Sequence, residues 1–218
     1  MIGMIPELNG KSGGTCDFTI EVTGTGEVTA APNRTLITLG AVTEGKEVLP
    51  AQNENAEKMN AVIDALVGLG IPRENIRTES FSIEPQYDYV DGRQVFRGYK
   101  VTHLLEVALS GVDGAGTVID TATAHGANTV TDITFLSSEA AAFAAQALQA
   151  AVRSAQTKAA GIAAALGVSL SAVPCKVEEI SPDNGPILFK AAAMSATTPI
   201  APGQLTFKAA VRAWYLFA

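Results

Sequence analysis

The sequence predicts an α+β fold: mostly antiparallel sheets with helices packed on their faces, in the order β-β-α-β-β-α-β-α-β-β. Three observations carry that expectation. Apolar and polar residues alternate in several separate segments, Asp91-Gly92 sits between two such segments as a hairpin turn, and stretches of helical period interrupt them.

Phe18, Ile20 and Val22 alternate with Thr19, Glu21 and Thr23, which predicts a first strand with one buried face. Gly24 and Gly26 are expected to loosen the backbone there, and Pro32-Asn33 to turn it into a second strand, Thr35 to Val42. Asn53 to Leu69 reads as an amphipathic helix with Asn55, Met59, Val62, Leu66 and Leu69 on one side. Pro50 suits its first turn, and Gly70 followed by Ile71-Pro72 suits its end. The third strand, Ile76 to Tyr89, places Phe81, Ile83, Tyr87 and Tyr89 on one face. In the fourth, Val95, Tyr99, Val101, Leu105, Val107 and Leu109 share one parity. A short helix (Asp113 to His125), a strand (Asn128 to Leu136) and a long helix (Ser137 to Gly167) follow. Along the long helix, Leu148, Val152, Ala155, Ala159, Ile162 and Leu166 form the expected packing stripe. Strands from Val173 to Ile180 and from Gln204 to Phe217 close the chain, with an aperiodic Pro-, Ala-, Ser- and Thr-rich segment between them.

Composition narrows the function. Of 218 residues, 47% are hydrophobic and 17% charged, the balance of a folded globular chain. The formal charge of −7 and the scattered basic residues argue against nucleic acid, which needs clustered Lys and Arg. The apolar stretches are interrupted by Gln, Arg, Lys or Thr, so no membrane span is expected. Met1 to Gly14 has neither a basic head nor an apolar core of signal-peptide length, so a cytoplasmic location is expected. Cys16 and Cys175 lie far apart, show no zinc or redox spacing, and read as reduced thiols.

Candidate chemistry is sparse. Gly111-x-x-Gly114-x-Gly116 lacks the G-x-G-x-x-G spacing of a dinucleotide turn, and it reads instead as a helix start capped by Asp113. Gly24-x-Gly26 lacks the Lys and Ser/Thr of a phosphate loop. His103 shares strand parity with Val101 and Leu105, and His125 precedes Gly126 at a helix end. Neither has a Cys or Ser nucleophile beside it in sequence, and no carboxylate pattern fits a calcium loop or H-E-x-x-H, so no catalytic, cofactor or metal residues are assigned. The candidate contact residues are Tyr87, Tyr89 and Tyr99, with Phe96 across the hairpin, and His103. Cross-strand aromatic packing is the structural reading of the same residues.

An ordered set of segments along the chain carries a family resemblance. It begins with Val22-Thr23-Gly24-Thr25-Gly26-Glu27-Val28 and Pro32-Asn33. It continues through Leu69-Gly70-Ile71, Asn75-Ile76-Arg77-Thr78, Ile83-Glu84-Pro85-Gln86-Tyr87 and Gly98-Tyr99. His125-Gly126-Ala127-Asn128-Thr129, leading to Ile133-Thr134-Phe135, is the most specific match. Leu166-Gly167-Val168 and Pro199-Ile200-Ala201-Pro202-Gly203 complete it. Taken in this order, the segments resemble the SIMPL-domain family, which includes bacterial periplasmic immunogenic proteins. The resemblance implies an α+β domain, some of whose relatives assemble into hollow multimers or are linked to oxidative stress or signalling complexes. It supplies no catalytic residues, and many relatives are exported.

These readings predict an N-terminal extension (residues 1–16) and a single domain (17–218) with a long loop or arm at 181–203. The expected function is that of a non-enzymatic, self-assembling bacterial domain, a scaffold or stress-protective binding protein, without cofactor and with a second copy as partner. The alternative is an enzyme or small-ligand binder whose site is assembled from dispersed aromatic and His residues.

Overall fold

The computed structural model describes residues 18–180, 187–189, 200 and 202–218; Cys16 and most of the 181–203 segment lie outside them. The described residues form β1 (Thr19–Ala30), β2 (Arg34–Gly45), α1 (Val48–Gly68), β3 (Ile76–Val90), β4 (Arg93–Ser110), α2 (Ala115–Ala124), β5 (Thr129–Leu136), α3 (Ala140–Leu166), β6 (Lys176–Glu179), β7 (Ile187–Phe189) and β8 (Gln204–Leu216). This is the expected α+β order with one strand more. The extra strand, β7, falls inside the segment read as a loop and pairs antiparallel with β8. The chain divides into two compact units.

The unit of residues 29–140 and 186–206 holds the antiparallel sheet β3-β4-β2-β5. Alternation sends Ile37, Leu39 and Ala41 of β2 and Leu105 and Val107 of β4 to one face. There they pack against Met59, Val62 and Leu66 of α1 and Val118, Ile119 and Ala122 of α2. Each large side chain fully buried in this way contributes about 1.5–3 kcal/mol. Helix α1 starts at Val48, earlier than expected, because Pro50 is tolerated in a first turn whose N–H groups have no helical partner. It ends where Gly70 turns left-handed (φ 94°) and Ile71 N–H donates to the Leu66 carbonyl at 3.2 Å. The expected Asp113 cap of α2 is not formed: Gly114 is the N-cap, with no side-chain capping bond. His125 is the C-cap, its Nδ1 2.8 Å from the Thr121 carbonyl oxygen.

Two asparagines tie this sheet together. Asn128 Nδ2 donates to the Val42 carbonyl (2.8 Å) and Oδ1 accepts from Val42 N–H (2.7 Å). The carboxamide thus replaces a neighbouring strand's peptide group along β2, just before the pairing with β5 starts at Gly40↔Thr129. At the other end Asn33, just before β2, links to Ser138 beyond β5, with Oδ1 accepting from Ser138 N–H (2.8 Å) and Nδ2 donating to Ser138 Oγ (2.9 Å). Asn128→Ala strips both bonds from Val42 and is expected to lower stability by about 1–3 kcal/mol. Urea unfolding with an unchanged midpoint would refute that.

The second unit contains the described residues of 1–28, 141–185 and 207–218. Its sheet places β8 between β1 and β6. Helix α3 packs on it through only two residues of the expected stripe, Ala155 and Ala159. The buried ridge is Ala147, Ala151, Ala155, Ala159 and Ala163, spaced by four, whereas Val152, Ile162 and Leu166 are 40%, 41% and 64% exposed. Gly24 and Gly26 explain the choice. A β-carbon on Gly24 would lie 2.0 Å from the Ala151 carbonyl oxygen, and one on Gly26 2.0 Å from that of Ala147. These glycines do not loosen the chain. They remain in β1 and let the helix backbone reach the strand, which only alanine on the facing ridge permits. Lys158 Nζ donates to the Thr23 carbonyl at 2.7 Å across the same contact.

The sheet's other face is charged and self-paired: Glu21 with Arg212 (3.4 Å), Glu27 with Lys208 (3.7 Å), and Lys176 over the Trp214 ring at 4.6 Å. The chain end is covered from within this unit, by Phe217 N–H to Phe18 O (3.3 Å) and by reciprocal bonds between Ser169 and Ala218 (2.8 and 3.0 Å). Neither β8 nor β4 is an edge strand.

A candidate contact surface on the β3–β4 hairpin

Strands β3 and β4 outrun the sheet that carries them. The last residue of β2 pairs with Tyr99, so residues 93–98 of β4 pair with β3 alone. The turn at the tip follows from sequence: Asp91 (φ 51°) and Gly92 (φ 73°) are both left-handed, as a two-residue hairpin turn of this hand requires.

Register sorts the side chains. Phe81 opposes His103, Ile83 opposes Val101, Pro85 opposes Tyr99, Tyr87 opposes Phe96 and Tyr89 opposes Gln94, all on one face. Val101, on the inner part of that face, is fully buried. Outward from it the cover ends, leaving Tyr87 49%, Phe96 46% and Tyr89 73% exposed, while Phe81, on the other side of Val101, is 49% exposed on edge strand β3. The rings support one another edge to face: Tyr87–Phe96 at 5.8 Å and 71°, Phe96–Tyr99 at 5.2 Å and 67°, Phe81–His103 at 5.4 Å and 89°. Gln94 Nε2 donates to Tyr89 Oη at 2.7 Å. No Asp, Glu, Lys or Arg stands at these ten positions. The opposite parity carries charge, with Glu84 across from Lys100, and Arg97 binds Glu44 at 2.9 Å.

The four residues singled out from sequence therefore share a face. Tyr87 and Tyr99 are joined through Phe96, Tyr89 stands nearer the tip, and His103 sits nearer the covered end. Phe81 and Phe96 belong to the surface as fully as the tyrosines. Parity with Tyr87 was the available signal for Phe81, whereas Phe96 joins Tyr99 on this face only through the bulge between Gln86 and Tyr87.

His103 is half-buried, and its Nε2 lies 3.4 Å from Thr78 Oγ1, too long for a strong bond. Burial lowers its pKa below the usual imidazole value. A lowered folded pKa means that the unfolded chain takes up the proton more readily. This histidine's contribution is therefore complete above about pH 6.5 and is lost as pH falls through the folded pKa. His103→Gln should lose less thermal stability than the native chain between about pH 7.5 and about pH 5. Equal losses would remove this assignment.

A polar cleft of about 160 Å³ beside Tyr99 is lined by Glu44, Lys46, Gln86 and Arg97. It is below the roughly 300 Å³ of ordinary small-molecule sites. Among the described residues no three His, Cys, Asp or Glu side chains are grouped to hold a metal. No described helix is long and apolar enough to cross a membrane.

Comparison with known proteins places this architecture. The profile of SIMPL, described as a protein of unknown function (DUF541), matches residues 20–215, from β1 to β8. The chain belongs to the SIMPL family. It is 29% identical over 205 residues to a 26 kDa periplasmic immunogenic protein of Brucella melitensis, covering 88% of this chain and 82% of that protein. The protein of the same name in Brucella abortus matches to the same extent. The uncharacterized protein YggE of Escherichia coli K12 is 25% identical over 133 residues, 61% of this chain and 54% of its own length. Of the SIMPL-like segments, Asn33 and Asn128 are the strand clamps described above, and Gly24 and Gly26 are the helix contact. These motifs hold the fold.

Proposed function

We propose that this SIMPL domain is a non-enzymatic, self-assembling unit that acts as a scaffold or stress-protective binding protein, with the aromatic face of the β3–β4 hairpin as its contact surface. The supporting observation is that face itself: aromatic, free of charge, and uncovered where the hairpin outruns β2. Aromatic enrichment with charge depletion marks the core of protein interfaces. Half-exposed rings of this size offer about 100 Å² each, so the patch amounts to several hundred Å² per copy. A stable interface takes about 800 Å² per partner, so the hairpin serves as the anchor of a larger contact.

Face packing is favoured over edge pairing. Edge strand β3 carries bulges between Thr78 and Ser80 and between Gln86 and Tyr87, with Pro85 lacking an N–H between them. Light scattering of the full chain at micromolar concentration should give a mass above the 22.5 kDa of one chain. Because the face is uncharged, the mass should survive molar salt. A monomer at every concentration would end this reading.

For location, the named relatives weigh against the cytoplasmic expectation: two are called periplasmic, and an exported form is the reading we adopt. Fractionation that leaves the protein in the cytoplasm would reverse it.

A further inference from the structure

A second feature, within the same unit but away from the hairpin, is unused by the assembly reading. The end of α1 and the loop after it, the end of β4 and the start of α2 enclose an open cleft of about 530 Å³. Ile71 and Val118, 7% and 2% exposed, and the half-buried Leu109 form apolar walls held by the core. The Ile71 backbone is locked by the same Leu66 bond that ends α1, so this part of the wall is formed in advance. Leu69, an apolar side chain 43% exposed, stands in the lining. Asn75, Ser110 and Thr117 supply a carboxamide and two hydroxyls, and none of the three side chains hydrogen-bonds to another described residue. Among the described residues no Asp, Glu, Lys, Arg or His borders the cleft.

We propose that this cleft binds an uncharged, mainly apolar small molecule carrying one or a few hydrogen-bonding groups. The volume falls in the range of sites that enclose drug-sized ligands. The aliphatic walls take the ligand's body, and the free carboxamide and hydroxyls fix its polar end. Charge sets the class. A bound ion would lose hydration with no opposite side chain among the described lining residues to replace it, and the formal charge of −7 further disfavours anions. Nucleotides, phosphorylated metabolites and acidic peptides are therefore outside the class.

The test is fluorescence titration of the full chain with N-phenyl-1-naphthylamine, a neutral, mostly apolar probe with one N–H. Saturable binding with one site per chain is expected. Thr117→Trp, which fills the cleft from α2, and Leu69→Asp, which puts a charge on its lining, should each weaken binding at least tenfold. Phe96→Ser, in the hairpin, should leave it unchanged. Amide chemical shifts of the native chain should move at Gly70, Ile71 and Val118 on titration, a readout that needs no variant to fold. Non-saturable binding, folded cleft variants that bind as the native chain does, or loss of binding in Phe96→Ser would each overturn the proposal. So would loss of the site on self-association, which would make the cleft an interface between copies.

Discussion

Gly24→Ala is expected to destabilise this protein severely, by about 3 kcal/mol or more. The added methyl would sit 2.0 Å from the Ala151 carbonyl oxygen, 2.5 Å from the Ala155 nitrogen and 2.7 Å from the Ala155 methyl. Two of those atoms are helix backbone, so no rotamer change relieves the overlap. Helix α3 would have to lift off β1, exposing the alanine ridge and stretching the Lys158 bond to Thr23. Ordinary overpacking costs about 1–3 kcal/mol because flexible side chains yield; here rigid backbone must move. Chemical denaturation of native and variant chains measures the difference. A loss below about 1 kcal/mol would show that α3 does not rest on β1 as closely as described. Gly68→Ala is the matched control: its β-carbon meets nothing within 4 Å, and alanine in a helix is favoured by about 1 kcal/mol.

The second large effect is on assembly. Tyr87→Ser with Phe96→Ser removes the two central rings of the hairpin face, which touch each other at 5.8 Å and are each about half exposed. Buried aromatic anchors typically cost 2 kcal/mol or more each when truncated at an interface, so the pair should weaken self-association by about a thousandfold. At micromolar concentration the scattering mass should fall toward that of one 22.5 kDa chain while circular dichroism is retained. The fold tolerates the change because the overhang lies outside the core that α1 and α2 cover. An undiminished mass in a folded double variant would move the contact elsewhere, and the exposed apolar residues of α3 would be the next surface to truncate.

Much of the local structure was legible from residues alone, for local reasons. The Asp91-Gly92 turn, the parity of Phe81 to Tyr89 and the Gly70 helix end each depend on φ preferences or on period-two alternation, which act within a few residues. Alternation put Tyr87 with Tyr89 on one face of β3 and Tyr99 with His103 on one parity of β4. Joining the two sets on one face took the register between the strands, and the bulge between Gln86 and Tyr87 added Phe96. The packing stripe read for α3 held only at Ala155 and Ala159, for the opposite reason. Its larger apolar side chains, Val152, Ile162 and Leu166, form the stronger periodic stripe, and hydrophobicity selects them. The surface that actually receives the helix lies well over a hundred residues earlier, at Gly24 and Gly26, and close backbone approach rewards small side chains over large ones.

The same division holds for function. Sequence by itself determined the α+β class, the order of elements, the SIMPL membership and the aromatic character of the hairpin, because composition, alternation and motif order are properties of the chain. Tertiary structure alone decided which strands are edges and which rings are uncovered. It also turned the family's Asn128 into a strand clamp and gathered Leu69, Leu109 and Val118 into one cleft. Those outcomes depend on pairing between distant segments, as in Val42 with Asn128, and on where a covering helix stops. No window of neighbouring residues contains either.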